Sequence, residues 1–182
     1  MTSIDTENVE IIGEWAFEQC RGLVEVKLHD GLKEIRRQAF NNCISLTLID
    51  IPGSVTDLGK NTEVSTSQYE GWVFENCTNL STITLHEGLK KLYVSTFSRC
   101  GVVSINIPTT VTDIPDYAFQ ECTKMSQVYC LGSTPPTLGT AAFDSSLKSI
   151  STLFVPEAAI SAYSSSSWNP YFKEIKKDLL HP

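Results

Sequence analysis

Positive charge is scarce in this chain of 182 residues. The 14 Lys and Arg residues are outnumbered by 21 Asp and Glu residues, which gives a formal net charge of -7 and a pI near 4.9. This balance argues against a nucleic-acid backbone and against an anionic membrane surface as the main partner.

Long apolar runs are also missing. The sequence contains no stretch of about eighteen apolar residues, so it predicts no membrane span. The N-terminal residues MTSIDTENVE lack the basic and apolar regions of a signal peptide. However, the repeat described below is predicted to begin partway through a unit, so the N-terminus does not indicate the compartment.

The motifs that usually carry catalysis or bind metals are absent from the sequence. It has no Walker-type loop, GxSxG elbow, HExxH pair or CxxC spacing. His29 and His86 fall at one repeat position just after a strand, where a solvated strand end is expected; the third histidine is His181. Asp50 and Asp57 fit strand edges and turns. The sequence therefore predicts no enzyme, no cofactor and no metal.

A repeat based on phenylalanine and cysteine is present instead. Phenylalanine is followed three residues later by cysteine in five places: Phe17 and Cys20, Phe40 and Cys43, Phe74 and Cys77, Phe97 and Cys100, Phe119 and Cys122. Phe143 closes the series, with Ser146 in the cysteine position. The steps between phenylalanines are 23, 34, 23, 22 and 24 residues, so one step contains an insertion of 11. A fixed period in the twenties predicts a solenoid with one coil per repeat.

Each repeat also contains a short alternation of apolar and polar residues. Val26 and Leu28 alternate with Glu25 and Lys27, which predicts a strand with one buried face. Residues 1–156 are therefore predicted to form a mainly β repeat solenoid of about six coils, with a polar insertion at 60–70 on a surface loop. Residues 157–182 concentrate aromatic side chains outside the repeat and are predicted to cap the last coil.

The repeated cysteines are predicted to form a column that points into the core. Coils stack about 4.8 Å apart, and parallel side chains keep their Cβ atoms near that spacing, beyond the ~3.8 Å usual in disulfides. Buried, reduced thiols are therefore favoured at the five positions, with disulfides as the alternative. Cys130 takes an inward strand position of its own.

The repeat resembles the BspA-like leucine-rich repeat, whose pattern is LxxIxIPxxVxxIgxxAFxxC. The later residues CLGSTPPTLGTAAF, FVP, Tyr163 and Trp168 are similar to the ending of surface proteins from gut bacteria of the Bacteroides type. The resemblance implies a right-handed, curved solenoid with one short parallel strand per coil and short helical or 3-10 turns. It also implies export to the cell surface, adhesion or protein binding, and no catalytic residues.

The outward row of the predicted strand ladder is the candidate binding surface. Its members are Lys27, Asp50, Thr84, Asn106, Tyr129 and Phe154, flanked by Glu25, Leu48, Thr82, Ser104, Gln127 and Thr152. The row changes from charged to aromatic along the solenoid. Exposed aromatic side chains at its C-terminal end are predicted as the main contact, unless the cap folds over them.

Three functional hypotheses follow. The first is a non-enzymatic module, extracellular or on the cell surface, whose ladder binds a host or bacterial surface protein or a polysaccharide. The second is a structural spacer in a larger surface protein. The third is a hydrolase with acidic groups on the ladder. The absence of a catalytic motif favours the first over the third.

Overall fold

Parallel strands stacked coil upon coil form the body of the protein. The structure is a computed structural model that describes residues 1–60 and 70–180, so residues 61–69 of the predicted insertion lie outside the described residues. The main strands are β1 (Ser3–Asp5), β3 (Glu25–Lys27), β5 (Leu48–Ile51), β7 (Thr82–Leu85), β9 (Ser104–Ile107), β11 (Gln127–Cys130), β13 (Thr152–Val155) and β14 (Glu174–Lys177). The whole is a mainly β parallel solenoid of about seven turns. The predicted fold class is confirmed.

A second, shorter strand follows the main strand in six of the turns. These strands are β2 (Ile11–Ile12), β4 (Glu34–Ile35), β6 (Asp57–Leu58), β8 (Lys91–Leu92), β10 (Asp113–Ile114) and β12 (Thr137–Leu138). They pair in parallel in the orders β2-β4-β6-β8 and β10-β12. In the first five, the second residue is a buried Ile or Leu. These strands thus add a second apolar wall to the core.

The turns around the first five repeat phenylalanines each contain two left-handed residues, and the turn around Phe143 contains one. Positive φ angles occur two residues before the phenylalanine at Trp15, Gln38, Trp72, Ser95, Tyr117 and Ala141, and two residues after it at Gln19, Asn42, Asn76, Arg99 and Glu121. Left-handed backbone costs a non-glycine residue about 1–2 kcal/mol. Hydrogen bonds between coils offset this cost, because the Phe40 amide donates to the Val73 carbonyl at 2.9 Å and the amides of Phe17, Phe74, Phe97 and Phe119 make the equivalent bond.

The repeat phenylalanines stack into one column. Successive rings from Phe17 to Phe143 have centroids 5.2–5.6 Å apart and lie within 17° of parallel. The five rings after Phe17 are at most 1% exposed, whereas Phe17 at the start of the column is only partly buried. Packing of this kind ties each coil to its two neighbours, as expected for a solenoid core.

The repeat cysteines form a second column beside the phenylalanines. Each repeat thiol from Cys43 to Cys122 donates a hydrogen bond to the phenylalanine carbonyl of the preceding coil, at Sγ to O distances of 3.1–3.2 Å. All six cysteines are free thiols. The prediction that Cys20 is buried is wrong: it is half-buried, because it lies in the first complete coil, next to the partly covered Phe17.

Aromatic side chains of the C-terminal segment pack against the last coil. This segment contains a 3-10 helix at Glu157–Ala159, helix α1 (Ile160–Ser164) and a 3-10 helix at Asn169–Tyr171. The indole of Trp168 packs 5.3 Å from the ring of Phe143 and donates from Nε1 to the Pro136 carbonyl at 2.7 Å. The Tyr163 hydroxyl lies 3.0 Å from both Cys130 Sγ and the Gly132 carbonyl oxygen. Phe143 is thereby covered, in contrast to Phe17 at the other end.

Candidate binding surface

The main strands present one row of outward side chains. Strand register aligns Asp5 with Lys27, Asp50 with Thr84, and Asn106 with Tyr129, Phe154 and Lys176 in succession. We call these eight residues the ladder row. The row contains all six residues singled out from the sequence, together with Asp5 and Lys176, which the repeat pattern did not reveal. Lys27, Asp50, Thr84 and Asn106 are exposed, so this part of the row faces solvent.

Two histidines bridge neighbouring coils on this face. His29 Nε2 lies 2.6 Å from Asp5 Oδ1, and His86 Nε2 lies 2.8 Å from Asp50 Oδ1. Lys27 Nζ is 3.5 Å from the second oxygen of Asp5. A backbone hydrogen bond from the Glu7 amide, together with the contact to His29, holds the pKa of Asp5 below its ordinary value. Both histidines at the repeated position after the strand therefore contact an aspartate of the preceding coil through a hydrogen bond.

The aromatic end of the row is largely withdrawn from solvent. Tyr129 is 7% exposed, and its ring stacks on that of Phe154 with centroids 4.7 Å apart. Phe154 is half-buried, and β14 pairs beside its strand so that Lys176 lies next to it. Burial, with the nearby negative charge of Asp178, raises the pKa of the Tyr129 hydroxyl. Of these two aromatic side chains, Phe154 offers the larger accessible fraction.

A break in the ladder opens a groove near the N-terminal end. Within residues 1–60 and 70–180, β3 pairs only with β1, and β5 is the edge strand of the sheet β5-β7-β9-β11-β13-β14. A cavity of about 470 Å³ lies along this break, lined by Val24, Glu25, Val26, Lys27, Leu28, Thr47, Leu48 and Asp50. Val24 and Leu48 are each 49% exposed. We call this cavity the β3–β5 groove.

The buried thiols have the chemistry of core side chains. Burial raises the pKa of Cys43 and of Cys122 to about 12 and that of Cys130 to about 11. At neutral pH these groups are protonated, and the thiolate is the reactive form of cysteine. In the part of the chain that the structure describes, no three His, Cys, Asp or Glu side chains are grouped as metal ligands.

Stacked parallel strands, a buried phenylalanine column and one open sheet face define a leucine-rich-repeat solenoid. The sequence profile of the BspA type leucine rich repeat region matches six copies of its repeat, over residues 1–70 and 61–169. The chain therefore belongs to the BspA type leucine rich repeat family.

Solved structures of bacterial leucine-rich repeat proteins share this fold. One is the T. pallidum leucine rich repeat protein TpLRR, with 28% identity over 76% of this chain and a TM-score of 0.64. Another is a leucine-rich repeat protein from Bacteroides ovatus, with 21% identity over 97% of this chain and a TM-score of 0.71. The present chain covers 59% and 43% of these two proteins, respectively. Comparison with curated protein sequences gives no match.

None of the described helices is long and apolar enough to cross a membrane.

Proposed function

We propose that this chain is a non-enzymatic binding module that uses the ladder row to hold a protein partner at the bacterial cell surface. One observation carries the proposal: adjacent coils place chemically different side chains at equivalent, exposed positions of a uniform strand scaffold, as with Asp50, Thr84 and Asn106. Partner-specific contacts can occupy such positions without disturbing the core.

The location on the cell surface rests on family membership. BspA type leucine rich repeats cover most of the chain, and two bacterial leucine-rich repeat proteins share its fold. A surface module of this kind needs a rigid frame, and the stacked phenylalanine and cysteine columns supply one. The net charge of -7 also favours neutral or basic partners, because electrostatic repulsion slows the association of an acidic partner.

We assign different roles to the members of the row. Lys27, Asp50, Thr84 and Asn106 are proposed as direct contacts because they are exposed on the ladder face. Phe154 extends the contact surface at the C-terminal end, and Tyr129 supports its ring from one side. Rigid aromatic rings bind at low entropic cost, so Phe154 is the strongest single contact proposed at that end.

A binding selection tests this proposal. Purified protein is panned against a displayed random-peptide library and, in parallel, against an array of oligosaccharides. The selected ligands are then tested against three ladder variants, Asp50→Asn, Thr84→Arg and Asn106→Arg, with Thr78→Arg as the control because Thr78 is exposed and lies outside the main strands. We expect peptide ligands whose affinity falls at least tenfold with at least one ladder variant and is unchanged with the control.

Three outcomes contradict the proposal in different ways. Ligands that bind the ladder variants as well as the original protein place the site elsewhere. Ligands found only on the oligosaccharide array change the class of partner from protein to glycan. Cleavage of a selected ligand, lost in Asp50→Asn, favours a hydrolase over a binding module.

A further inference from the structure

Two adjoining cavities near the N-terminal end of the ladder form one continuous site. The β3–β5 groove shares Leu28 and Asp50 with a second cavity of about 430 Å³, lined by Leu28, Asp30, Asp50, Pro52, Gly53, His86 and Glu87. The shared residues make the two cavities one surface drawn from three successive coils. Its two parts differ in chemistry.

The part between the strands is apolar. Val24 and Leu48 are each 49% exposed, and the buried Val26 and half-buried Leu28 contribute to the lining between them. Neighbouring strands of a sheet normally lie about 4.8 Å apart and are joined by a hydrogen-bonded ladder. Because β3 and β5 do not pair in the described residues, apolar surface is left accessible along this break. An apolar side chain of a partner would remove this surface from water.

The part beyond the strand ends is acidic. Asp30, Asp50 and Glu87 line it, and Glu25 adds a fourth carboxylate in the apolar part. Lys27 is the single lysine that lines the site. Its Nζ lies 3.5 Å from Asp5 Oδ2, so the carboxylate of Asp5 partly neutralises its positive charge. One oxygen of Asp50 contacts His86, so its other oxygen is the acceptor available to a ligand. The charge of the site is complementary to a lysine or arginine side chain.

The spacing of Leu48 and Asp50 along β5 determines how far apart the matching side chains of a partner must lie. Leu48 and Asp50 are two residues apart on one strand and both project from the ladder face. In extended chains such residues are about 6.6–6.8 Å apart, because each residue rises about 3.3–3.4 Å. A second extended chain running along β5 presents its residues i and i+2 at the same separation.

We propose that this site binds an extended peptide segment of a protein partner in which an apolar residue and a lysine or arginine are separated by one residue. The apolar side chain lies between Val24 and Leu48, and the basic side chain reaches Asp50 and Asp30. Glu87 adds negative charge nearby, while its two oxygens accept hydrogen bonds from Thr109. The inference rests on the proposed function as a binding module, and it names the site and the chemistry of the partner.

Sequences selected from the random-peptide library test this inference directly. We expect enrichment of peptides with an apolar residue two positions from lysine or arginine, in either order. Their affinity should fall at least tenfold with Leu48→Ser and with Asp50→Asn. Two matched controls should bind unchanged: Val103→Ser, which removes a valine that is 46% exposed on another coil, and Glu157→Gln, which removes an exposed carboxylate of the C-terminal segment.

Melting temperatures close to that of the original protein establish that the variants are folded, since all four substituted side chains are exposed. Enrichment of peptides without a basic residue, or no enrichment at all, overturns the inference. Peptides that tolerate both groove variants but lose affinity with Thr84→Arg or Asn106→Arg also overturn it, while leaving the ladder row as the binding surface. Peptides insensitive to both sets of variants refute the groove and the proposed function together.

Discussion

Replacing Phe74 by alanine tests whether the phenylalanine column holds the coils together. Phe74 is 0% exposed, and its ring stacks between those of Phe40 and Phe97, with centroid distances of 5.2 Å and 5.5 Å. Truncation of a buried phenylalanine to alanine costs about 3–5 kcal/mol, and its two stacked neighbours place Phe74→Ala in the upper half of that range. Because domains of this kind are stable by about 5–15 kcal/mol, this loss is a large fraction of the total.

Phe17 supplies the matched control for this experiment. It is partly buried and stacks on one ring, that of Phe40, at 5.3 Å. Phe17→Ala should therefore cost about half as much as Phe74→Ala, about 1.5–2.5 kcal/mol. Urea unfolding followed by far-UV circular dichroism gives both free energies of unfolding if the slope m is unchanged. Equal losses for the two variants would refute the view that stability depends on stacking from both sides.

Three further predictions concern buried or strained groups. Native protein should react rapidly with a thiol reagent only at half-buried Cys20, and unfolded protein without reductant should show all six thiols; fewer would mean disulfides. Burial raises the pKa of Glu75, so its ionised form opposes folding at neutral pH, and Glu75→Gln should raise the melting temperature at pH 7. This gain in melting temperature should vanish below about pH 4, where glutamate is protonated in both the folded and the unfolded state. A gain that persists below about pH 4 would show that the charge of Glu75 is not its cause. Ala141 has a positive φ of 47°, which glycine adopts without steric cost, so Ala141→Gly should not destabilise the protein. Ala162→Gly in helix α1 should instead lower the free energy of unfolding in urea by about 0.5–1 kcal/mol.

The features that repeat in the sequence could be predicted from it. The spacing of Phe40, Phe74 and Phe97 defines one coil per repeat, and a fixed spacing repeated in this way has few structural explanations besides stacking. The inward position of Cys130 also followed from its place in the alternation, and it is 1% exposed. A short apolar pattern in one repeat could indicate more than one type of secondary structure. Because the same pattern recurs in every coil, the repeats together indicate one structure.

The features that depend on how two coils meet could not be predicted. The short strands contain two residues each, too few to show an alternation. Asp50 and His86 are 36 residues apart, and only the stacking of their coils brings them within 2.8 Å. The 7% exposure of Tyr129 and the break between β3 and β5 likewise depend on neighbouring strands. Asn42 and Asn76 did carry a usable signal, because asparagine tolerates the left-handed conformation that both adopt.

Hydrogen exchange can separate the two ends of the ladder as binding sites. The β3–β5 groove and the cavity that adjoins it draw residues from three coils, represented by Leu28, Asp50 and His86, so a ligand that occupies both links these coils. A ligand at 100 times its dissociation constant stabilises the state that binds it by about 2.7 kcal/mol. In a solenoid each coil contacts only its neighbours, so this stabilisation acts mainly on the bridged coils.

Amides of β3, β5 and β7 should therefore gain more protection on addition of a selected peptide than those of β11 and β13. Such a gradient is specific to the groove, because a ligand bound at Phe154 would protect the C-terminal coils instead. Leu48→Ser should abolish the gradient, and Val103→Ser should preserve it. Protection that is strongest at β11 and β13 would assign the site to the aromatic end of the ladder row and refute the groove.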